Sequence, residues 1–494
     1  MSFSRHTARL APSSFFAVSA LCAALTLAGC AFQGPDHAAA PRLSASQLGL
    51  ADNQNAGQTA DQAANAALPA ADWWTALGDA QLNTLVGRAL QGSPSLAASN
   101  ARFDKAAALA DAAGTATDVR GTLSADATRQ RYTANGMIPA PIAGHVYNSA
   151  NVQAGLSWAP DFFGKHSAEL QSALGQARAA KADSAAATNQ LAAQVARSYV
   201  ALARLIEQKN VAQRTLDQRQ SLLNLSQQRT QAGLDSQVEL TQAQAGLPDA
   251  RTQIEMLAEQ ITLARRTIAV LCAQAPDAQA ALSPRLSALK LQTVPQVLGA
   301  DLLGRRPDVV AARWRVEAAG SSIDAAKADF YPDVNLTAFV GLNALGFDNL
   351  FQAGSRQMGV TPALRLPIFD GKRLRAQLRG KQADLDTAIA QYNGVVLDAV
   401  KQAGDAIASV QSLQRQQVLQ TESLAKAEQA YDFAVQRYQA GLGTQITVLN
   451  TETQLINQRR LAVDLLSRQL DTRVALMAAL GGGWQDSNLQ LIER

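Results

Sequence analysis

Few side chains in this 494-residue chain are spaced for chemistry. Its four histidines, His6, His37, His145 and His166, lie far apart, and no two share the spacing of a helical or finger-type metal site. Gly164-Lys165-His166 and Gly371-Lys372-Arg373 set a lysine after a glycine, but both lack the Ser or Thr and the upstream glycine of a phosphate loop. Gly441-Leu442-Gly443 lacks a third glycine and follows no strand, which excludes a dinucleotide loop. Lys372, Arg373, Arg375 and Arg379 cluster behind a predicted strand, a place that suits lipid headgroups or a lumen lining better than nucleic acid. The sequence therefore predicts no cofactor, no metal, no nucleic-acid partner and no enzyme.

One cysteine is the exception. Arg5 and Arg9 precede an apolar run from Phe15 to Leu27, shorter than the roughly 20 residues of a membrane span. The run ends in Leu27-Ala28-Gly29-Cys30, which resembles the bacterial lipobox, where the thiol is acylated and becomes the first mature residue. Residues 1–29 then form a lipoprotein signal peptide and 30–68, rich in Ala, Gln, Asn and Pro, an acylated tether. Ala31, in place of an aspartate, favours the outer membrane. Loss of the leader changes the charge from +4 to +2, a balance too even to mark a polyanion binder. Cys272 lies in an apolar helical stretch and reads as a buried thiol.

The elements that carry these residues are written twice. Arg229-Thr-Gln-Ala-Gly-Leu-Asp-Ser-Gln-Val recurs 208 residues on as Arg437-Tyr-Gln-Ala-Gly-Leu-Gly-Thr-Gln-Ile. Pro94-Ser-Leu-Ala-Ala recurs as Pro307-Asp-Val-Val-Ala, and Asp161-Phe-Phe-Gly-Lys as Phe369-Asp-Gly-Lys, in the same order. In each copy a helical segment (80–117, 301–329) leads into two alternating stretches. Leu123, Ala125 and Ala127 alternate with Ser124, Asp126 and Thr128; Val334, Leu336 and Ala338 alternate with Asn335, Thr337 and Phe339. Four strands of about ten residues have the length of tilted bilayer-crossing strands. Long proline-free helices follow, from Lys165 and from Lys372, each about 100 Å at 1.5 Å per residue. Apolar residues from Leu385 to Val410 step by threes and fours, and Gly233 and Gly441 stop the helices.

Four strands cannot sit alone in hydrocarbon, because open edges leave backbone groups unpaired. Three copies give twelve, an even number within the range of known barrels. The fold class is thus a mixed α and β membrane protein. It is expected to form a homotrimer with a 12-stranded transmembrane β-barrel, four strands from each protomer, continued by a long periplasmic α-helical barrel. Asp126, Asn335 and Arg365 belong to the polar alternation and are expected to face the lumen. Only 5% of residues are aromatic, as suits Ala-rich helices packed closely around a tunnel. A coiled-coil adaptor would need only one helical hairpin, and a scaffold lipoprotein would need no polar strand face.

Further motifs carry a family resemblance. Asp72-Trp73-Trp74 with Leu82 and Leu85, Gly304-Arg305-Arg306-Pro307-Asp308-Val309, Phe330-Tyr331-Pro332, Leu366-Pro367-Ile368-Phe369-Asp370-Gly371 and Ala479-Leu480-Gly481-Gly482-Gly483-Trp484 occur in order over almost the whole mature chain. Together with the two turns they resemble the outer-membrane efflux proteins, TolC-like channels, in their lipoprotein branch. The resemblance implies an exit duct for small toxic molecules or, alternatively, for secreted proteins. It also implies a periplasmic adaptor and an inner-membrane pump as partners, and an outer-membrane location. The segments are then 69–117, equatorial and helical; 118–163, first β-hairpin; 164–275, first long helical hairpin; and 276–300, equatorial linker. The second copy follows as 301–331, helical; 332–370, second β-hairpin; 371–480, second long helical hairpin; and 481–494, C-terminal tail.

By the same resemblance, Arg229, Gly233, Leu234 and Ser236, with Arg437, Gly441, Leu442 and Thr444, form the tips gripped by the adaptor. The arginines would cap or brace the last helical turn. Where family members carry two aspartates that constrict the pore, this chain has Thr447 and Asn450. Asp235 and Glu239 are the first-copy candidates for that constriction, with a solvated helix start as the alternative.

Overall fold

A computed structural model describes residues 37–43, 47, 70–291 and 302–484; Cys30 and most of the expected tether lie outside the described residues. After a short turn at Trp73–Leu77 come helices α1 (Ala80–Gly92) and α2 (Pro94–Gly114), strands β1 (Arg120–Arg131) and β2 (Val146–Trp158), and helices α3 (Lys165–Gln231) and α4 (Gln237–Leu271). The second copy runs through α5 (Leu302–Arg305), α6 (Pro307–Ala328), β3 (Asp333–Leu345), β4 (Arg356–Arg365), α7 (Gly371–Gln439) and α8 (Gln445–Ala479). The return helices α4 and α8 are both 35 residues long and start 208 residues apart, the offset of the sequence repeat.

Each helical segment expected before a hairpin is broken, at Ser93 and at Arg306, because a proline comes next. Pro94 and Pro307 suit a first helical position, where no N–H is required, and they push the residue before them out of the α conformation. Ser93 accordingly has ψ 120°.

Among the described residues the chain divides into two units. The first draws on Lys105–Ala177 and Trp314–Ala390 with the described residues up to Pro41, the second on the described residues of 42–104, 178–313 and 391–484. The first unit holds one antiparallel sheet in the order β1-β2-β3-β4, so β2 and β3 join the two copies. Its helical part packs Ile323 and Ala326 of α6 on Leu378 of α7. Gly175 of α3 approaches α6 so closely that a Cβ there would lie 2.9 Å from the Ala318 Cβ.

The second unit contains the largest apolar core, in which Tyr199 and Leu202 of α3 and Ile268 of α4 meet Leu82 of α1 and Leu470 of α8. Here the ordered motifs find structural uses. The Trp73 indole donates to Asn189 Oδ1 at 3.2 Å, and the buried Arg306 guanidinium reaches Asp308, Gln402 and the Ala479 carbonyl. Gly481, Gly482 and Gly483 all have positive φ, and a Cβ on Gly481 would lie 2.1 Å from the Arg305 carbonyl oxygen. Along α7, Ala403, Ala406 and Val410 are buried against Leu476, Ala479 and Leu480, the small residues permitting close helix approach. Cys272 is buried, and its Sγ lies 3.4 Å from the Leu85 carbonyl; desolvation pushes the thiol up.

Candidate pore lining and docking tips

Strand register decides which side chains share a face, since antiparallel partners point the same way and alternate residues return to it. Asp126 lies opposite Asn151, and Asn151 opposite Asn343. Asp333 lies opposite Arg365 and two residues from Asn335. Asp126, Asn335 and Arg365 therefore occupy one polar face, as the alternation predicts. On that face Gln357 Nε2 donates to Asn151 Oδ1 at 2.8 Å, and Ser157 Oγ to Asn335 Oδ1 at 3.3 Å. The reverse face is apolar and largely open, with Leu123 (79% exposed), Leu156, Val340, Met358, Val360 and Leu364. Apolar area left in water forgoes about 25 cal/mol per Å², so this face calls for lipid. Strands β1 and β4 each lack a second neighbour among the described residues.

The tips are built on two matching helix ends. Gly233 and Gly441 have φ +73° and +75°. The Leu234 N–H bonds the Arg229 carbonyl at 2.9 Å and the Gly233 N–H the Thr230 carbonyl at 3.0 Å. In the second copy Leu442 bonds Arg437 at 2.8 Å and Gly441 bonds Tyr438 at 3.1 Å. Both are Schellman turns, which need the left-handed conformation that glycine adopts without strain. Leu234 and Leu442 stand exposed at the ends.

The expectation that Arg229 caps its own last turn is corrected by its bonding, although its fork on Asp235 braces that helix end. Nη1 donates to the Tyr438 carbonyl at 2.9 Å, which places the cation on the carbonyl end of α7. Nε and Nη2 form a fork on Asp235 at 3.0 and 3.2 Å, and the guanidinium lies 4.6 Å from the centre of the Tyr438 ring. The Tyr438 hydroxyl donates to the same carboxylate. Arg437 makes only a local bond, from Nη2 to the Leu442 carbonyl at 3.2 Å.

Asp235 is corrected as well. Its side chain is 8% exposed and both oxygens are engaged, so it is a clasp residue and no open carboxylate for a pore ring. Desolvation pushes its carboxyl up, but the hydrogen bonds from Arg229 and Tyr438 and the guanidinium charge outweigh this and hold it below its ordinary 3.8. Glu239 stands at the start of α4 in a capping box: the Ser236 N–H donates to Oε2 at 2.9 Å, and the Val238 N–H to Ser236 Oγ at 3.1 Å. Hydrogen bonds from the Ser236 hydroxyl and from backbone N–H groups hold Glu239 below the usual range.

Thr447 and Asn450 are exposed on the first turns of α8. Thr444, the residue matching Ser236, makes no cap bond to the backbone, and its Oγ1 lies 3.0 Å from Thr447 Oγ1. The neighbouring Gln445 Nε2 donates to the Glu239 carbonyl at 3.0 Å, linking the two helix starts.

Two buried residues that join these helices are not singled out by the sequence. Tyr438 completes the clasp; the available signal was that it replaces Thr230 of the first copy, just as Gly443 replaces Asp235. Glu452 of α8 is 1% exposed and accepts from Arg219 Nε at 3.2 Å, while Arg219 Nη1 donates to the Gly246 carbonyl at 2.8 Å. Its other oxygen has no partner, and desolvation raises the carboxyl against the opposing pull of Arg219.

Comparison with known proteins gives a consistent picture. The profile of the family described as outer membrane efflux protein matches residues 85–274 and 298–482. The multidrug resistance outer membrane protein MdtP of Shigella flexneri is 31% identical over 469 residues, 93% of this chain and 94% of its own length. The fusaric acid resistance protein FusA of Burkholderia cepacia is 39% identical over 374 residues, 74% of this chain and 69% of its own. Among solved structures, the outer membrane protein VceC of Vibrio cholerae superposes with a TM-score of 0.80 at 35% identity, covering 84% of this chain and 100% of its own.

Proposed function

This chain belongs to the outer membrane efflux protein family, and from that premise we propose that it is the channel subunit of a tripartite efflux pump, a passive exit duct for small toxic molecules. The observation that carries the reading is the sheet, polar on one face, apolar and exposed on the other, and open at both edges. Pairing β1 of one copy with β4 of the next removes those edges and, with three copies, closes twelve strands. Asp126, Asn335 and Arg365 then line water, and Leu123, Val340 and Leu364 meet lipid. Helices α3–α4 and α7–α8 extend the duct into the periplasm.

In this reading Cys30 carries the acyl anchor in the outer membrane. The exposed Leu234 and Leu442, on turns fixed by Gly233 and Gly441, are the surface offered to a periplasmic adaptor, which recruits an inner-membrane pump. Constriction near the tips relies on neutral groups such as Thr447 and Asn450. The chain itself contributes no catalytic step. The relatives named for multidrug and fusaric acid resistance support small toxic cargo.

Two measurements test the proposal. The purified protein is expected to conduct in planar bilayers. Gly233→Val and Gly441→Val place a β-branched residue at φ above +70°, where L side chains are strongly disfavoured. Each is expected to abolish resistance in a host lacking its own channel while leaving trimer in the outer membrane; unchanged resistance would overturn the tip-docking assignment.

A further inference from the structure

Just beyond β4 the chain turns from apolar to basic. Ile368 and Phe369 are exposed, Phe369 almost wholly at 98%, and the first turns of α7 carry Lys372, Arg373, Arg375 and Arg379. Arg373 pairs with Asp370 at 2.9 Å. Lys372, Arg375 and Arg379 are exposed and have no ion-pair or hydrogen-bond partner among the described residues. Cations at this end of a helix meet unpaired N–H groups and the positive end of the macrodipole, and the nearest acid, Asp370 just before the helix, is engaged by Arg373. Three mutually repelling charges in such a place are stable beside an anionic surface.

The direction of the stripe follows from the helix. Leu374, Leu378 and Ile389 form the buried face of α7 in this unit. At about 100° per residue, Lys372, Arg375 and Arg379 lie roughly a quarter turn away, on the stripe that continues to Asp386. Asp386 holds the N-terminal strap: its Oδ1 accepts from the Ala40 N–H at 3.1 Å, and its Oδ2 lies 3.0 Å from His37 Nε2. Cys30 precedes His37 by seven residues, a reach of at most about 25 Å. Asp386 lies fifteen residues past the start of α7, about 22 Å along the helix. An acyl group on Cys30 can therefore enter a membrane at the level of the basic turns, on the side of α7 where the strap runs.

We infer that Ile368, Phe369, Lys372, Arg375 and Arg379 form a docking surface for anionic phospholipid headgroups of the inner leaflet of the outer membrane. The two apolar side chains sit at the acyl boundary and the three cations on the phosphates. The inference rests on the outer-membrane channel reading above. Its test is the thermal unfolding midpoint of the full-length trimer in detergent with added phosphatidylglycerol, phosphatidylcholine or inorganic phosphate. Phosphatidylglycerol is expected to raise the midpoint, and phosphatidylcholine and phosphate are not. The shift is expected to fall by at least half in K372Q/R375Q/R379Q and to survive in K372R/R375K/R379K and in R415Q, further along the same helix.

An equal shift in the glutamine variant overturns the inference, and so does inorganic phosphate that matches the lipid. If the glutamine variant fails to assemble, wild-type salt dependence decides: the shift should decline between about 0.05 and about 0.5 M salt, and a constant shift overturns the inference. A lumenal stripe would instead move the single-channel reversal potential toward cation selectivity in the glutamine variant while the lipid shift persists, which also overturns it. Failure of every variant and the wild type to conduct would count against the channel reading, separately from the lipid response.

Discussion

The two tips have the same backbone and different chemistry. Both end a long helix in a Schellman turn and start a 35-residue return helix. The first places three charged residues, Arg229, Asp235 and Glu239, and the hydroxyl of Ser236 on that frame; the matching positions of the second hold Arg437, Gly443, Thr447 and Thr444. The second contributes what the first lacks, the Tyr438 ring, hydroxyl and carbonyl that receive Arg229 and Asp235. Duplication thus preserved the turn, where backbone conformation leaves little choice, and divided the side-chain roles. The result is one asymmetric clasp across two hairpins, so any movement of one tip away from the other must first separate Arg229 from the Tyr438 carbonyl.

Substituting the two equivalent arginines breaks the comparison most directly. Arg229→Met leaves Asp235 shielded from water without its fork, and hydrogen bonds to charged partners contribute about 1.5–3 kcal/mol each. A local loss of about 3 kcal/mol is expected, or roughly hundredfold faster hydrogen exchange of amides 230–240. Arg437→Met removes one exposed bond to the Leu442 carbonyl and is expected to cost less than about 1 kcal/mol. Equal losses at the two tips would show that the clasp does not stabilise the first tip.

Acid is a gentler probe of the same difference. Asp235 has a folded-state value below its ordinary 3.8, so its contribution is present above the ordinary value and is lost as pH falls through the folded one. Glu239, also lowered from its ordinary 4.5, acts with the same sign. Protection in the first tip, corrected for intrinsic exchange, is expected to drop relative to the second as pH falls from about 4.5 to below 3.8. The second tip has no acid at its matching positions, Gly443 and Thr447. Equal acid sensitivity at the two tips would place the titrating group elsewhere.

What could be read in the sequence was whatever depends on short spacing. The turn glycines, the strand alternation that puts Asp126, Asn335 and Arg365 on one face, and the repeat offset all follow from neighbours or from a constant shift. The clasp depends on residues about 200 positions apart, Asp235 and Tyr438, which meet only once two hairpins pack side by side. Without that partner Asp235 looked like a free acid near a pore. Glu452 was hidden for a similar reason, because only packing reveals that its carboxyl group is buried beside Arg219. The breaks at Ser93 and Arg306 were within reach, since a proline follows each, but helical periodicity alone runs straight through them.

The smallest predictions concern the helix starts. Ser236 and Glu239 form a capping box on α4, and Ser236→Ala is expected to cost about 1 kcal/mol. Thr444→Ala should cost almost nothing, because Thr444 makes no cap bond to the backbone. The informative change is the reverse one, Thr447→Glu, which gives α8 the same N-cap and N3 pattern that α4 has. A gain of about 0.5 kcal/mol is expected at that helix start, seen as slower exchange of amides 445–448. The same substitution puts three acids, one from each protomer, near the proposed constriction, so the single-channel reversal potential should move toward cation selectivity. Slower exchange without a change in selectivity would retain the capping comparison and remove Thr447 from the pore lining.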